Sequence, residues 1–515
     1  MSSYEAIEYS TNAGVVNDPI YGHVYFHRQY EEPLINDIVL QRLRYIRQLQ
    51  LSYLVYPGAD HTRFQHSIGV MHLSGKYFEH IVKKMGGRVF NEICGCDENK
   101  ARYNEKEVYY AVRIVGLLHD IGHGPYGHSF DRYILEKYGL NHEIITYKLY
   151  SHRIRQIIEN AAGNGVDPNN IALLVDQMLA PHTNIDPCSR FFRQIVRDWL
   201  MPADVLDFLL RDSFYTGTRE YGWINYRRLI EALEVINMDG IYILAFPEKI
   251  IGEFIKYVIA RQFMYENVYY HPAIIAFDYY FKQLSNDQDL LDLLEISKTI
   301  ENLKQGFIEG YLFLNEYSFL GQMLALYRHI NLGAHSTTYL SKESRNMVKE
   351  FVEHIYLRRK SRWKLIYNRR RVVTNAKRLR DDEEVAAIKN QFKALGKAKK
   401  EGIIDKFKSK GITEDDIIVD VREISIFPRT AFNLYPGDSQ PRVIPIVKKI
   451  GSAQKYIMIP LVEFMAENGV FPIVLLRIYI NREKLSRDME EKLLAILYES
   501  PQKQSGLKKW METTF

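Results

Sequence analysis

His119 and Asp120 stand side by side at the end of an apolar run, Val115-Gly116-Leu117-Leu118, and His123 and His128 follow shortly after. Imidazole and carboxylate together suit a borderline divalent cation that holds a water. His66 and Asp204, far away along the chain in either direction, complete a set of four candidate ligands: His66, His119, Asp120 and Asp204. Such a set leaves positions open for a substrate oxygen and for a water acidic enough to supply hydroxide near neutral pH. Taken singly, His66 at a helix start also reads as a satisfied core histidine, and Asp204 as a partner of a helix dipole. The adjacent His119-Asp120 pair resists such a reading, because burying both groups without a partner is costly.

Around this set lie groups fit for proton transfer and phosphate binding. One helical turn separates His123 from His119, so both can face one cavity. His128 follows Pro125-Tyr126-Gly127, where a helix must break, and Asp131 is placed to orient a histidine. His142 opens the next helix. A phosphoester with an alkoxide leaving group needs a proton donor, and a histidine beside a carboxylate can serve. Arg63 and Arg261 are candidate phosphate forks. Asp207 and Arg211, spaced i, i+4, read as an ion pair supporting Asp204, and Asp212 at the far end of that helix is within range of a sugar hydroxyl.

The elements that must position these groups are mostly helical. Helices are expected over about 36–50, from Arg63 to Val82, over 107–121, 142–160 and 169–180, and from Pro202, where proline suits a helix start. The segment 89–106, rich in Cys, Gly, Asp and Asn, reads as an excursion loop. Helices dominate 248–335, with many tyrosines over 261–281. From Asp416 the periodicity turns to two, at Ile417–Val421, Val443–Ile446 and Val474–Tyr479, and a helix over 484–498 follows. The fold class expected is mostly α: a helical core over 1–340, a basic, charged helical connection over 341–412, and a small α+β lobe over 413–515. The basic tract, with Arg358-Arg359-Lys360, Arg369-Arg370-Arg371 and Lys397-Ala398-Lys399-Lys400, reads as a solvated helical surface or as an anion or subunit contact.

A length of 515 residues, with 25% charged and 46% hydrophobic side chains, describes an ordinary globular chain with a large core. The net charge of +5 favours anionic ligands without separating nucleotides from nucleic acid. No apolar run is long enough for a membrane span, and the first residues, Met-Ser-Ser-Tyr-Glu-Ala, do not resemble a signal peptide. The three cysteines, Cys94, Cys96 and Cys188, read as packed or free thiols of a reducing cytoplasm.

The order His66…His119-Asp120…Asp204 resembles the H…HD…D signature of the HD superfamily of metal-dependent phosphohydrolases. Three longer words narrow the likeness: Gln41-Arg42-Leu43-Arg44-Tyr45-Ile46-Arg47-Gln48-Leu49, Thr62-Arg63-Phe64-Gln65-His66-Ser67-Ile68-Gly69-Val70 and His119-Asp120-Ile121-Gly122-His123-Gly124-Pro125. They are similar to the deoxynucleoside triphosphate triphosphohydrolase branch, which includes the SAM-and-HD-domain enzyme and bacterial dGTPase relatives; no SAM domain is expected before them. The resemblance implies a helical HD core with a small mixed C-terminal lobe. It implies hydrolysis of a dNTP to deoxynucleoside and tripolyphosphate, with a divalent cofactor (Mg, Mn, Fe, Ni, Co or Zn). It assigns His66, His119, Asp120 and Asp204 to the metal, and His128, Asp131 and His142 to the catalytic group beside the α-phosphate. Arg63, His123 and Arg261 match phosphate contacts, while Gln48, Leu49, Asp212 and Tyr269 match positions around the sugar. Asp212 is expected on the 3′-hydroxyl, and Leu49 and Tyr269 would crowd a 2′-hydroxyl.

The sequence also departs from that pattern. Val205 and Phe208 stand where the family usually carries a basic residue and a tyrosine on the phosphates, which leaves another phosphate ester as an alternative substrate. Asn36, Gln41 and Arg44 occupy positions that read a guanine between subunits in regulated members, and Arg228 and Lys249 match a neighbouring activator pocket. Asn36 replaces an aspartate, so guanine discrimination should fall; Pro247 replaces an arginine of the activator pocket, which speaks against nucleotide activation. A cytoplasmic homo-oligomer, dimer or tetramer, is expected. The reading from another class is a nucleic-acid-binding regulatory protein with a vestigial metal site, weak binding resting on the tract 358–400.

Overall fold

The computed structural model of the chain describes residues 12–97, 100–163, 165–181, 185–238, 240–332, 340–373, 381–428, 443–450 and 453–498. The N-terminal residues read above for a signal peptide lie outside them, as do 374–380 of the basic tract and the last residues of the C-terminal lobe. The architecture is helical with a small C-terminal region of strands. No helix among the described residues is long and apolar enough to cross a membrane.

A hairpin of β1 (Ala13–Asp18) and β2 (Gly22–His27) comes first, pairing Ala13 with His27. The helix expected over 36–50 does not form: one α-turn, Ile38–Gln41, passes into a 3-10 turn, Arg42–Tyr45, and then into extended chain. There the Arg63 amide donates to the Ile46 carbonyl and the Gln48 amide to the His61 carbonyl. Those cross-bonds take the backbone of 46–48 out of any helical ladder.

Helix α1 (Arg63–Cys94) starts at a capping box of Thr62 and Gln65 and buries Phe64, Ile68, Met71, Tyr77 and Phe78. It continues past Val82 with a break at Gly86, so 89–94, expected as loop, is helical, and a short hairpin at Gly95–Asp97 and Lys100–Ala101 follows. Helix α2 (Glu105–Leu118), capped reciprocally by Asn104 and Glu107, buries Val108, Val112 and Val115 and packs on α1. It stops at Leu118, and His119 becomes its C-cap. Helices α3 (His128–Tyr133) and α4 (His142–Leu149) come next, the latter running through one π-turn into Arg155–Glu159. After α5 (Pro168–Leu179), α6 (Pro187–Val196) and α7 (Ala203–Thr216) comes a hairpin, β3 (Glu234–Met238) and β4 (Ile241–Pro247). Helix α8 (Ile251–Met264), a π-turn at Tyr265–Tyr269 and α9 (Pro272–Ser285) carry the tyrosine-rich stretch.

The connection expected as helical contains a strand, β5 (Trp363–Val372), before the long α10 (Asp381–Phe407). The strands expected near 417, 443 and 474 are β6 (Ile417–Ile424), β7 (Val443–Ile450) and β9 (Ile473–Asn481), with β8 (Ala453–Pro460) added, and α11 (Arg487–Tyr498) closes the described chain. β9 is buried along its whole length and pairs antiparallel with β5 on one edge and β6 on the other. A central strand of that kind needs both edges satisfied, which draws the Arg369–Arg371 stretch into a sheet. Arg370 pairs with Glu266, Arg371 donates to Gln391, Arg358 donates to the Leu54 carbonyl and Arg359 pairs with Glu353, so much of this tract is engaged within the chain. Strand β4 of the core also pairs in parallel with β7 of the lobe at Phe246–Ile446 and Pro247–Val447.

The expectation of packed or free thiols does not hold for two of the cysteines. Packing of α1 on α6 brings Cys94 and Cys188 to a Cα–Cα distance of 4.6 Å, and they form a disulfide. Protein purified without reductant and then unfolded should titrate one thiol per chain, Cys96, against three after reduction; three in both states would contradict the bond. The bond closes a 94-residue loop, so reduction should lower unfolding stability by about 2–4 kcal/mol in urea titrations.

Candidate metal and phosphate site

His66 and His119 approach from different helices, and each has its Nδ1 already committed. His66 Nδ1 lies 2.7 Å from an Asp207 oxygen, and His119 Nδ1 lies 2.8 Å from the Gly116 carbonyl. Carboxylate and carbonyl only accept, so both Nδ1 atoms carry the hydrogen and both Nε2 lone pairs are left for another partner. Those two Nε2 atoms face each other at 3.2 Å. An Asp204 oxygen stands 3.1 Å from the first and 3.5 Å from the second. Asp120 approaches with one oxygen 3.6 Å from His119 and the other 3.8 Å from His66. Spacings of this order are those between neighbouring ligands of one cation with bonds of about 2.1 Å. Two Nε2 atoms brought this close among carboxylates suit a cation, and His66, His119 and Asp204 each offer one atom to it, with Asp120 at the edge of that group.

Several features explain why the chain delivers these atoms. Asp207 also takes a two-pronged ion pair from Arg211, at 2.9 Å on each oxygen, and a hydrogen bond from the Tyr21 hydroxyl at 2.7 Å. Arg211 in turn reaches Asp18 at 2.8 Å, so the N-terminal hairpin braces the residue that aims His66. Gly69 makes room for this group: a Cβ there would stand 2.0 Å from Asp207. Gly122 lets the turn after α2 press on α4, where a Cβ would meet the His142 carbonyl at 2.0 Å. The carbonyls of that turn are held by buried groups: Arg42 donates to Ile121 and His123 at 2.6 Å each, and the Tyr311 hydroxyl to Gly122 at 2.7 Å. Arg42 and Tyr311 were not among the predicted site residues, since their partners are backbone atoms that no side-chain pattern reveals.

The second predicted group gathers beside the first. His123, fully buried, spans the two, with Nε2 3.4 Å from Asp120 and Nδ1 3.2 Å from Asp131. The helix ends before His123, so the turn and not helical spacing places it there. His142 Nδ1 lies 2.6 Å from Asp131, and its ring stacks on His123 at 3.9 Å. His128 approaches the same Asp131 oxygen at 3.5 Å and keeps 57% of its side chain open. Burial, with the Arg63 guanidinium nearby, pushes His123 down to about 4, so it is neutral at pH 7. Burial also opposes charge on His142, but Asp131 overrides it and the pKa is raised.

One cavity of about 430 Å³ joins these centres. Asp120, Asp204, His128 and His142 line it, as do Arg63 and Arg261, and so do Gln48, Leu49, Asp212 and Tyr269. Arg63 pairs with Asp120. Arg261 donates to the Ser425 carbonyl and lies over Tyr265 at 4.4 Å. Tyr269 donates to Asp212 at 2.8 Å. Val205 and Phe208 also face the cavity, as apolar surface. From the lobe come Arg422, Glu423 and Ser425, which the sequence reading left out. Asn36, Gln41 and Arg44 cluster elsewhere: Gln41 donates to the Ile35 carbonyl and accepts from Arg44, whose guanidinium covers Phe64 at 3.6 Å. Arg228 and Lys249 are exposed on other elements. A larger cavity of about 840 Å³, lined by Lys282, Glu343, Arg362 and Trp363 among others, holds none of these groups.

Residues 63–193 match the HD domain family, and the pair that gives the family its name is His119-Asp120. That stretch is an HD domain. It is 32% identical over 262 residues to the uncharacterized protein MG461 homolog of Mycoplasma pneumoniae, covering 49% of this chain and 55% of that one. It is 28% identical over 284 residues to the deoxynucleoside triphosphate triphosphohydrolase SAMHD1 of Bos taurus, covering 50% and 45%. The chain thus spans about half the length of the curated relatives it matches. A phosphohydrolase from Bacteroides thetaiotaomicron shares the fold, with a TM-score of 0.60 at 21% identity over 91% of this chain and all of that one.

In this HD centre a proton and a cation compete for His66. Burial disfavours its charge, yet the hydrogen bonds to Asp204 and Asp207 carry its pKa up to about 10. Below that pH the proton is the bound species, so metal uptake at pH 7–8 should release close to one proton per chain and weaken as pH falls. Calorimetry in buffers of different ionisation enthalpy reads this directly; a buffer-independent enthalpy would contradict it. Asp207→Asn should cost about 10- to 100-fold in metal affinity with the fold kept, and unchanged affinity would remove Asp207 from that role.

Proposed function

We propose that the protein is a metal-dependent phosphohydrolase that cleaves dNTPs to deoxynucleoside and tripolyphosphate. The observation that carries this reading is the single cavity lined by the two candidate metal carboxylates, Asp120 and Asp204, by Arg63 and Arg261, and by the Asp212–Tyr269 pair. A divalent cation, when bound, supplies Lewis-acid polarisation of a phosphoryl oxygen and acidifies water. Arg63, paired to Asp120, sets a guanidinium at the edge of the cage, where an α-phosphate oxygen would sit. His142 is the proton donor to the departing sugar oxygen, directly or through the more open His128. Asp131, held ionised well below the usual carboxylate range despite its burial, keeps that proton loaded. His123, neutral and buried, stands between Asp120 and Asp131, with one hydrogen to give to one of them. Asp212 accepts a sugar hydroxyl, and Leu49 and Tyr269 limit the room beside it.

SAMHD1 of Bos taurus bears the name of this activity, which supports the reading over the matched half of the chain. Phosphohydrolysis of another phosphate ester is the second reading, favoured by the apolar Val205 and Phe208 on the cavity wall. Incubation of each dNTP with Mg, Mn, Co or Ni, with products separated by chromatography, distinguishes them. Deoxynucleoside and tripolyphosphate are expected; orthophosphate from monophosphates with dNTPs untouched would support the second reading instead. His119→Ala or Asp120→Ala should abolish turnover and metal content together.

The raised pKa of His142 gives a pH signature. A proton donor is competent below its pKa, so turnover should fall as pH rises through it. Asp131→Asn removes the charge that raises it, moving the alkaline limb to lower pH while metal content stays. An alkaline limb unmoved in the variant would refute the pairing.

A further inference from the structure

His61 belongs neither to the cage nor to the acid cluster, yet it touches both walls of the pocket on the sugar side. Its ring is fully buried, and its Nε2 lies 2.7 Å from one oxygen of Asp212, whose other oxygen accepts from Tyr269. A carboxylate only accepts, so Nε2 carries the hydrogen. Tyr215 stacks on the ring at 4.5 Å and 13°, which fixes its plane. The His61 carbonyl, meanwhile, accepts the Gln48 amide at 3.0 Å, flanked by the Arg63–Ile46 backbone bond. Gln48 is 9% exposed, and its side-chain oxygen is buried without a hydrogen-bond partner.

The result is two acceptors, the Asp212 carboxylate and the Gln48 amide oxygen, presented to one cavity by one histidine. Both call for a ligand that donates, as a hydroxyl does, and a free carboxylate rotor would make a poorer acceptor than one pinned at both oxygens. We infer that His61 is the positioning residue that gives the site its selectivity for a sugar hydroxyl, by pinning Asp212 through its side chain and Gln48 through its backbone. This rests on the dNTP reading, in which Asp212 meets the 3′-hydroxyl. A sequence scan misses it because His61 sits in the irregular chain before Thr62, with no spacing that ties it to Asp212.

The test compares kcat/KM for a dNTP and for the matching 2′,3′-dideoxynucleoside triphosphate. Wild type should favour the hydroxyl-bearing substrate by a factor on the order of 100 or more. His61→Phe keeps a ring on Tyr215 but donates nothing; it should cut that ratio by about tenfold or more, chiefly through KM for the dNTP, with the dideoxy substrate little changed. His61→Asn, whose amide is too short to reach Asp212, should lower the ratio in the same way if the first variant does not fold. In an Asp212→Asn background, His61→Phe should leave the ratio where Asp212→Asn alone puts it. Equal losses on both substrates would show a merely structural role and overturn the inference while leaving the dNTP reading intact. A wild type that turns over no dNTP would overturn the reading, and the inference with it.

Discussion

Two imidazole Nε2 atoms, each on a ring whose Nδ1 is already committed, face each other across 3.2 Å, and the rest of the molecule is arranged to keep them there. Neither nitrogen could hold that position alone. His66 is aimed by Asp207, which is pinned by Arg211 and Tyr21, and Arg211 reaches Asp18 at the turn of the first hairpin. His119 is aimed by the carbonyl of Gly116, available because the helix ends one residue before it. Buried charge of this density is stable only when every member has a partner, and a cation completes the set.

The C-terminal lobe takes part in that arrangement. Ser425 receives Arg261 through its carbonyl, and Arg422 lies 3.5 Å from Asp278. Asp278 accepts from Ser129, beside His128 at the start of α3, and Ser129 also bonds to Gln50 at 2.8 Å. Because β4 and β7 share a sheet, these contacts rest on a continuous framework and not on a loosely tethered appendage. Displacement of the lobe would release one cavity arginine and loosen the turn that carries His128.

The candidate ligands stood out in the sequence because residue types that bind cations are few and the His119-Asp120 pair is local, and the structure brings His66, His119 and Asp204 together. Asp131 and His142, read for acid–base work, also meet. What the sequence concealed depends on backbone partners or on contacts distant along the chain. Arg42 looks like one charge among several, yet it is buried on the carbonyls of Ile121 and His123. The 36–50 stretch has helical periodicity, but cross-bonds to 61–63 outcompete the helical ladder. Arg369–Arg371 read as a helical surface because charge masks the alternation that β9 recruits into a sheet. Cys94 and Cys188 are paired by helix packing across 94 residues, which no spacing rule anticipates.

The central claim is that His66, His119, Asp120 and Asp204 hold one cation between them. Crystals of the metal-loaded protein, measured at the absorption edge of the bound metal, test it most directly. One anomalous peak about 2.0–2.3 Å from both Nε2 atoms and from the two carboxylates is the expected result. A peak seated instead among His123, His128, Asp131 and His142, the second group among the described residues close enough to bind an ion, would contradict it.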